Sequence, residues 1–152
     1  MKAISLLQPW ASLVVLGSKR TETRSWSTRY RGILAIHASA GFKRAERDLC
    51  CEVPFPEGLR NLRPADLPLG AIIGTCRLVA CVRTDADEIL NGHSDLVVDE
   101  ADFGDYGPER YAWILDDVRR LLKPIPARGS LGIWNFDESG HSLLCVPAGC
   151  AL

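Results

Sequence analysis

The sequence has no apolar run close to the ~20 residues that a helix needs to cross a bilayer. Its start, MKAISLLQPW, turns polar at Gln8 and has neither a secretory apolar core nor a small-residue cleavage site. A membrane protein and a secreted precursor are not expected, and the reduced cytoplasm is the expected compartment. None of the six cysteines (Cys50, Cys51, Cys76, Cys81, Cys145, Cys150) forms a C-x-x-C pair, so a zinc knuckle or thioredoxin-type pair has little support. His141, Cys145 and Cys150 could contribute to a metal site, but a fourth ligand is not evident. No metal and no cofactor are therefore called for. The phosphate-binding glycine signatures are missing too, which argues against nucleotide-triphosphate chemistry. So are internal repeats and low-complexity tracts. What is present is an ordinary globular mixture of 152 residues, 47% hydrophobic and 24% charged. That is one domain's length, enough to bury a core without disulfides.

The net charge of −1 conceals a polarity. Residues 1–50 carry nine Lys and Arg against Glu22, Glu46 and Asp48, a net of +6. Residues 84–117 carry eleven carboxylates and only Arg110, a net of −10. Fourteen of the eighteen cationic residues are Arg, whose planar fork suits phosphate and carboxylate. Two readings stand: an anion-binding face built from the first third of the chain, or mutual neutralisation of the two segments across the fold. The near-neutral total argues against tight, non-specific binding to long duplexes.

Ala3–Leu7 reads as a short buried strand. Pro9 suits a first helical turn, and Trp10, Leu13 and Val14 recur at helical spacing before Gly17, which predicts a helix over 9–16. Thr21–Trp26 alternates with a period of two, and Ile33–Ala38 is a further strand. Residues 43–51 form an exposed helix. The Pro-rich stretch from Val53 to Gly70 reads as a long surface loop. Ala71–Val82 is the longest strand candidate, with Gly74 marking a bulge. Asp85–Leu90 reads as one or two helical turns, and residues 91–110 as a mobile acidic loop or flap. Tyr111–Leu115 and Leu131–Phe136 are strands, and the tail from Asp137 offers Leu143–Ala148 as an edge strand or a disordered end. The expected fold is α+β: a small barrel of five to six strands with two or three short helices, the domain spanning 1–136 and the tail 137–152.

The densest polar constellation is Gly17–Trp26. In a strand, Glu22, Arg24 and Trp26 share one face while Thr21, Thr23 and Ser25 share the other. Lys19, at the turn after the helix, can swing over either face. A carboxylate, a guanidinium and an ammonium brought into a low-dielectric cleft must pair with each other or with a ligand. On an edge strand they would simply face water. His37 and Ser39 share a strand face and could line a cleft mouth, although a lone strand histidine is more often a satisfied core residue.

The run Ile4-Ser5-Leu6-Leu7-Gln8-Pro9-Trp10-Ala11, followed by Gly17-x-Lys19-x-x-Glu22-x-Arg24, resembles the signature of the ASCH domain, a branch of the PUA-like β-barrels. The likeness continues through Ser25-Trp26, Tyr30-Arg31-Gly32 and Ile36-His37-Ala38-Ser39. It resumes at Leu69–Gly74, at Tyr111–Leu115 and over Pro124–Trp134. The resemblance implies a PUA-like barrel whose cleft, lined by the Gly-x-Lys-x-x-Glu-x-Arg segment, holds RNA, single-stranded nucleic acid or a nucleoside. Lys19 and Arg24 would then meet phosphate or a base carbonyl. Glu22 would orient Lys19 or accept a base amino hydrogen. Trp10, Trp26 or Tyr111 would offer a stacking face, with Trp26 favoured, while Trp113 and Trp134 suit the core. Some small bacterial members of the family are amidohydrolases on acylated cytidine, and others are proposed ribonucleases. In the former, a Thr stands where this chain has Glu22, so the hydroxyl nucleophile is missing. If the chain is an enzyme, Lys19 and Glu22 are its expected catalytic residues, with Glu22 assisting water and Lys19 stabilising the oxyanion. A binding module is the leading expectation, a hydrolase on an acylated nucleoside or RNA the alternative, and a protein-interaction module a third.

Overall fold

The computed structural model describes residues 1–85 and 100–148. Seven strands form one mixed sheet: β1 (Lys2–Leu6), β2 (Thr21–Arg24), β3 (Gly32–Ala38), β4 (Ala71–Arg83), β5 (Tyr111–Pro126), β6 (Ile133–Asn135) and β7 (Cys145–Pro147). Their order is β2-β5-β4-β3-β1-β6, with β7 also paired to β5. Among the described residues only β1 and β3 run parallel, and the other pairings are antiparallel. Register shifts at Ile72/Gly74, Thr75/Arg77 and Leu78/Ala80 add twist to the long β4–β5 ribbon and curl the sheet into a half-barrel. The fold is thus α+β and barrel-like as expected, with seven strands among the described residues against the five or six read from the sequence.

Helix α1 (Trp10–Leu16) fills the concave side of this sheet and is buried from Ala11 through Leu16. Its first turn is held by Gln8, wholly buried, whose side chain accepts from the Ser12 N–H (3.1 Å) and donates to the Pro68 carbonyl (2.9 Å). Its last turn closes at Gly17, which adopts the left-handed conformation (φ +84°) that a side chain disfavours. Both Ser18 N–H and Lys19 N–H then return to the Leu13 carbonyl (3.0 and 3.1 Å). The chain therefore leaves the helix in a fixed direction, with Lys19 directly beneath it. Val14 and Val15 pack with Ile4, Leu34, Ile36, Ile73, Leu78 and Trp113 in the main core.

Three expectations need correction. Residues 53–70 are not a bare surface loop. Short helix α3 (Phe55–Gly58) and a 3-10 turn (Pro64–Asp66) sit there, and Phe55, Leu59 and Leu67 are buried against Leu13 and Leu16 of α1. The strand begun at Tyr111–Leu115 does not stop there. It continues to Pro126 through charged residues 116–123, because β4 on one side and β7 on the other satisfy its backbone. Lastly, residues 100–110 are not a free flap: Phe103 is buried against Phe55, their rings meeting edge-on at 5.3 Å, and Glu100 is buried as well. Helix α2 (Arg44–Leu49) is exposed, as its charge pattern predicts. The turns expected at Asp85–Leu90 and the loop at 91–99 fall outside the described residues, except for Asp85. No helix of the described residues is long and apolar enough to cross a membrane.

Gly74 sits where α1 and β5 both press on β4. A Cβ there would lie 2.5 Å from both the Arg119 carbonyl oxygen and Val15 Cγ1, so backbone would have to move. Gly74→Ala is expected to cost about 1–3 kcal/mol in urea unfolding, the usual range for overpacking. Gly41→Ala, with nothing within 4 Å of its Cβ position, should stay within about 0.5 kcal/mol of the parent. Equal effects at the two positions would contradict this packing account.

Candidate functional site

The turn out of α1 buries Lys19 to 1% exposure. Its ammonium donates to the Thr21 carbonyl oxygen and lies 3.8 Å from Glu22 Oε2. Burial pulls the lysine below its ordinary range, while the charges of Glu22 and Glu100 work the other way. Glu100 comes from the acidic segment and is 4% exposed. Its two oxygens accept from the Arg20 N–H (2.7 Å) and the Thr21 N–H (2.9 Å), so it caps the start of β2 beside Lys19. Burial pushes the Glu100 carboxyl up, and those two donors and Lys19 pull against it. Burial, with Glu100 beside it, also pushes the Tyr106 phenol up. Part of the acidic segment is therefore folded onto the cationic one, as the neutralisation reading of the charge polarity has it.

The alternation read over Thr21–Trp26 holds as far as Arg24, where β2 ends. Thr21 and Thr23 are buried, and Glu22 and Arg24 are partly exposed on the other face. Glu22 Oε1 meets Arg24 Nε at 3.1 Å, and Arg24 Nη2 donates across the barrel mouth to the Ser5 carbonyl on β1 (2.9 Å). The line continues through side chains. Ser5 Oγ lies 3.1 Å from His37 Nδ1, His37 Nε2 lies 3.0 Å from the Ala127 carbonyl oxygen, and Trp134 Nε1 donates to Ser5 Oγ at 3.1 Å. A carbonyl can only accept, so Nε2 carries the His37 proton. Burial holds this imidazole below its usual range, against the pull of the Ala127 bond.

These residues wall three adjoining cavities. One of about 400 Å³ has Trp10, Glu22, Phe55, Asp102, Asp105 and Arg110 in its lining. A second of about 330 Å³ is a slot bounded by Leu7, Trp10, Glu22, Arg24, Ser39 and Leu131. A third of about 390 Å³ lies beyond it, around His37, Ser39, Arg128 and Ser130. Trp10 and Glu22 are common to the first two, and Ser5, Ser39, Ser130 and Leu131 to the last two. The result is one cleft with an acidic end and an arginine end.

Of the residues singled out in the sequence, Glu22, Arg24, Trp10, His37 and Ser39 line this cleft. Lys19 lies behind it, reaching it through Glu22. Trp26 lines none of the three cavities. Its ring meets Trp113 edge-on at 4.7 Å, and its carbonyl accepts from Trp113 Nε1. Tyr111 packs on the barrel core opposite Arg24 in the β2–β5 register. Trp113 is buried as expected, and Trp134 is partly buried, spending its N–H on Ser5. His141 stacks on Phe136, Cys145 is in β7, and Cys150 lies outside the described residues. Among the described residues no three His, Cys, Asp or Glu side chains are grouped as metal ligands. Glu100 and Arg128 were not singled out from the sequence. The only signal for Glu100 was the charge opposition of its segment to residues 1–50.

The ASCH domain profile matches residues 4–125, which takes in α1, the Gly-x-Lys-x-x-Glu-x-Arg segment and most of the sheet. The chain belongs to the ASCH domain family. It is 26% identical over 151 residues to activating signal cointegrator 1 of Homo sapiens and 28% identical over 142 residues to that of Mus musculus. Each alignment covers 91% of this chain but 22% of the relative, so the chain spans about a fifth of the length of these curated relatives. Among solved structures, the ASCH protein of Zymomonas mobilis is 20% identical with a TM-score of 0.47, covering 82% of this chain and 72% of that one. A tyrosine-to-phenylalanine mutant of it is 19% identical, also at 0.47, covering 82% and 74%.

Removing Glu100 uncaps two backbone N–H groups and strips Lys19 of a countercharge. Glu100→Ala is expected to lose about 3–5 kcal/mol in urea unfolding, the cost of breaking a buried charge arrangement; a loss under 1 kcal/mol would contradict the pairing. Lys19 also gives a pH signature. Its folded pKa lies below the 10.5 of the unfolded chain, so within that window the unfolded chain holds the extra proton and stability rises with pH. Lys19→Met should lack this alkaline gain when urea midpoints of the two proteins are compared up to pH 10.

Proposed function

We propose that this ASCH domain binds RNA or a modified nucleobase, with one base seated in the slot between Trp10 and Leu131. The carrying observation is that Trp10 and Glu22 line the same slot as Arg24, whose guanidinium touches Glu22. An aromatic face is worth about 1–3 kcal/mol per stacked base and accepts any base. The carboxylate beside a guanidinium then offers an acceptor next to a donor. With the acceptor and donor held in that order, the pair matches the amino-plus-ring-nitrogen edge of cytosine or adenine, whereas uracil presents its carbonyl and imino groups in the reverse order and would have to turn or shift in the slot to meet them. Lys19, tied to the Thr21 carbonyl, serves by fixing Glu22 rather than by touching the ligand. At the far end Glu22, Asp102 and Asp105 outnumber Arg110, which pairs with Asp105 (3.4 Å), and this negative balance disfavours a long phosphate backbone there. This supports a site for a nucleoside or a strand end.

A hydrolase on an N4-acylated cytidine is the second reading, favoured by one observation: a buried lysine with a depressed pKa lies 3.8 Å from Glu22. In that reading Glu22 would take a proton from water attacking the acyl carbon, releasing the carboxylic acid and cytidine.

Titration with short oligocytidylate and oligouridylate, followed by tryptophan fluorescence, tests the binding reading. Oligocytidylate is expected to bind at least about 10-fold tighter, a difference set by one satisfied against one mismatched polar pair. Glu22→Gln should remove most of that preference. Equal affinities, or no binding of either, would overturn it. Incubation with N4-acetylcytidine and mass spectrometry of the nucleosides decides the second reading: cytidine formed by the parent and lost in Lys19→Ala makes the chain an enzyme.

A further inference from the structure

The arginine end of the cleft has its own construction, distinct from that of the base slot. Its cavity shares Ser5, Ser39, Ser130 and Leu131 with the slot, so one ligand can occupy both. Among the described residues no carboxylate lines it, whereas the opposite end of the cleft holds Glu22, Asp102 and Asp105 beside Arg110. Arg128 stands exposed at its rim and makes no ion pair or side-chain hydrogen bond among the described residues. The loop that carries Arg128 is clasped from beneath on both sides. His37 Nε2 donates to the Ala127 carbonyl (3.0 Å), the single Ser5 hydroxyl proton faces both the Ser130 carbonyl (3.0 Å) and His37 Nδ1 (3.1 Å), and Trp134 fixes Ser5 in turn. Between them Gly129 lies directly on this pair: a Cβ there would overlap the His37 ring and come within 2.8 Å of Ser5 Oγ. The wall of the cavity is thus set before any ligand arrives, which lowers the ordering cost of binding.

We infer that the cavity around Ser39, Arg128 and Ser130 is a phosphate subsite, taking a phosphate attached to the nucleoside in the base slot. The inference rests on the base-slot reading and adds the ligand class: a nucleotide or a phosphorylated strand end rather than a free nucleoside. Arg128 supplies a planar, permanently charged donor fork, the group best matched to phosphate oxygens. The Ser39 and Ser130 hydroxyls supply further donors. His37, kept neutral by burial, contributes no charge, so the attraction comes from Arg128.

The test is calorimetric titration of the full chain with cytidine, cytidine 5′-monophosphate and cytidine 3′-monophosphate, alongside an amide-shift titration with inorganic phosphate. Arg128→Ala, at an exposed position, is run in parallel after its circular dichroism has been matched to the parent. One of the two monophosphates is expected to bind at least about 10-fold tighter than cytidine at low salt, the scale of one charge-assisted hydrogen-bonded contact. Which one it is tells a 5′ from a 3′ phosphate. In Arg128→Ala that ratio should fall to within about 2-fold, and inorganic phosphate should shift the amides of residues 39 and 128–131 only in the parent. Monophosphates binding no tighter than cytidine would overturn the subsite, as would a ratio unchanged in Arg128→Ala. Phosphate shifts without any binding of cytidine would keep the subsite and sink the base slot. No response to any of the four ligands would sink both.

Discussion

A lysine ammonium with 1% of its surface exposed is the constraint around which this site is organised. Taking such a charge out of water costs several kcal/mol unless partners replace the lost hydration. Its partners come from two stretches of chain. On β2, Thr21 offers a carbonyl two residues on and Glu22 a carboxylate on the cleft face, while Glu100 brings a carboxylate from about eighty residues away. Glu100 can reach Lys19 only if residues 100–110 lie down on β2, and Phe103 then fills the space against Phe55. Burial of one cation therefore couples the helix exit, the edge strand and the acidic segment.

From Lys19 the polar contacts run as a single line across the barrel mouth: Glu22, Arg24, the Ser5 backbone, the Ser5 hydroxyl, His37 and the loop at Ala127. Along this line nearly every group faces a complementary one, which lets charged side chains border a hydrophobic core. The line also separates two chemistries. On one side lie Asp102 and Asp105, on the other Arg128 and two serine hydroxyls, with an aromatic and aliphatic slot in between. The near-zero net charge of the chain therefore says little about its ligand. The separation of charge within the cleft says more.

The sequence was most legible where local rules dominate. Strand alternation separated Glu22 and Arg24 from Thr21 and Thr23, though it did not say which face turns inward, and the left-handed position after α1 called for Gly17. Gly74 was read as a bulge and sits at one. It was least legible where a residue's role depends on a distant partner. Glu100 is one of eleven carboxylates in its segment, and nothing local marks it as the one that caps β2. Trp26 stood next to the charged run and looked ligand-facing, but its neighbour in space is Trp113. The charged stretch 116–123 hid the length of β5, because its backbone partners on β4 and β7 are not visible in composition. The Pro-rich 53–70 segment concealed a helix that needs α1 to pack against.

The surroundings of Glu22 bear on both functional readings. A hydrolytic role asks this side chain to take a proton from water, with an oxygen free to face the reacting atom. Here Oε1 is engaged by Arg24 at 3.1 Å and Oε2 faces the Lys19 ammonium at 3.8 Å. Both cations are placed to hold the carboxylate as an acceptor, so neither oxygen points freely at a water. The same arrangement improves a fixed acceptor for a base amino group, since the side chain enters binding already oriented. Both contacts therefore support the recognition reading proposed for this site over the hydrolytic one, because they hold the carboxylate in place before a ligand arrives.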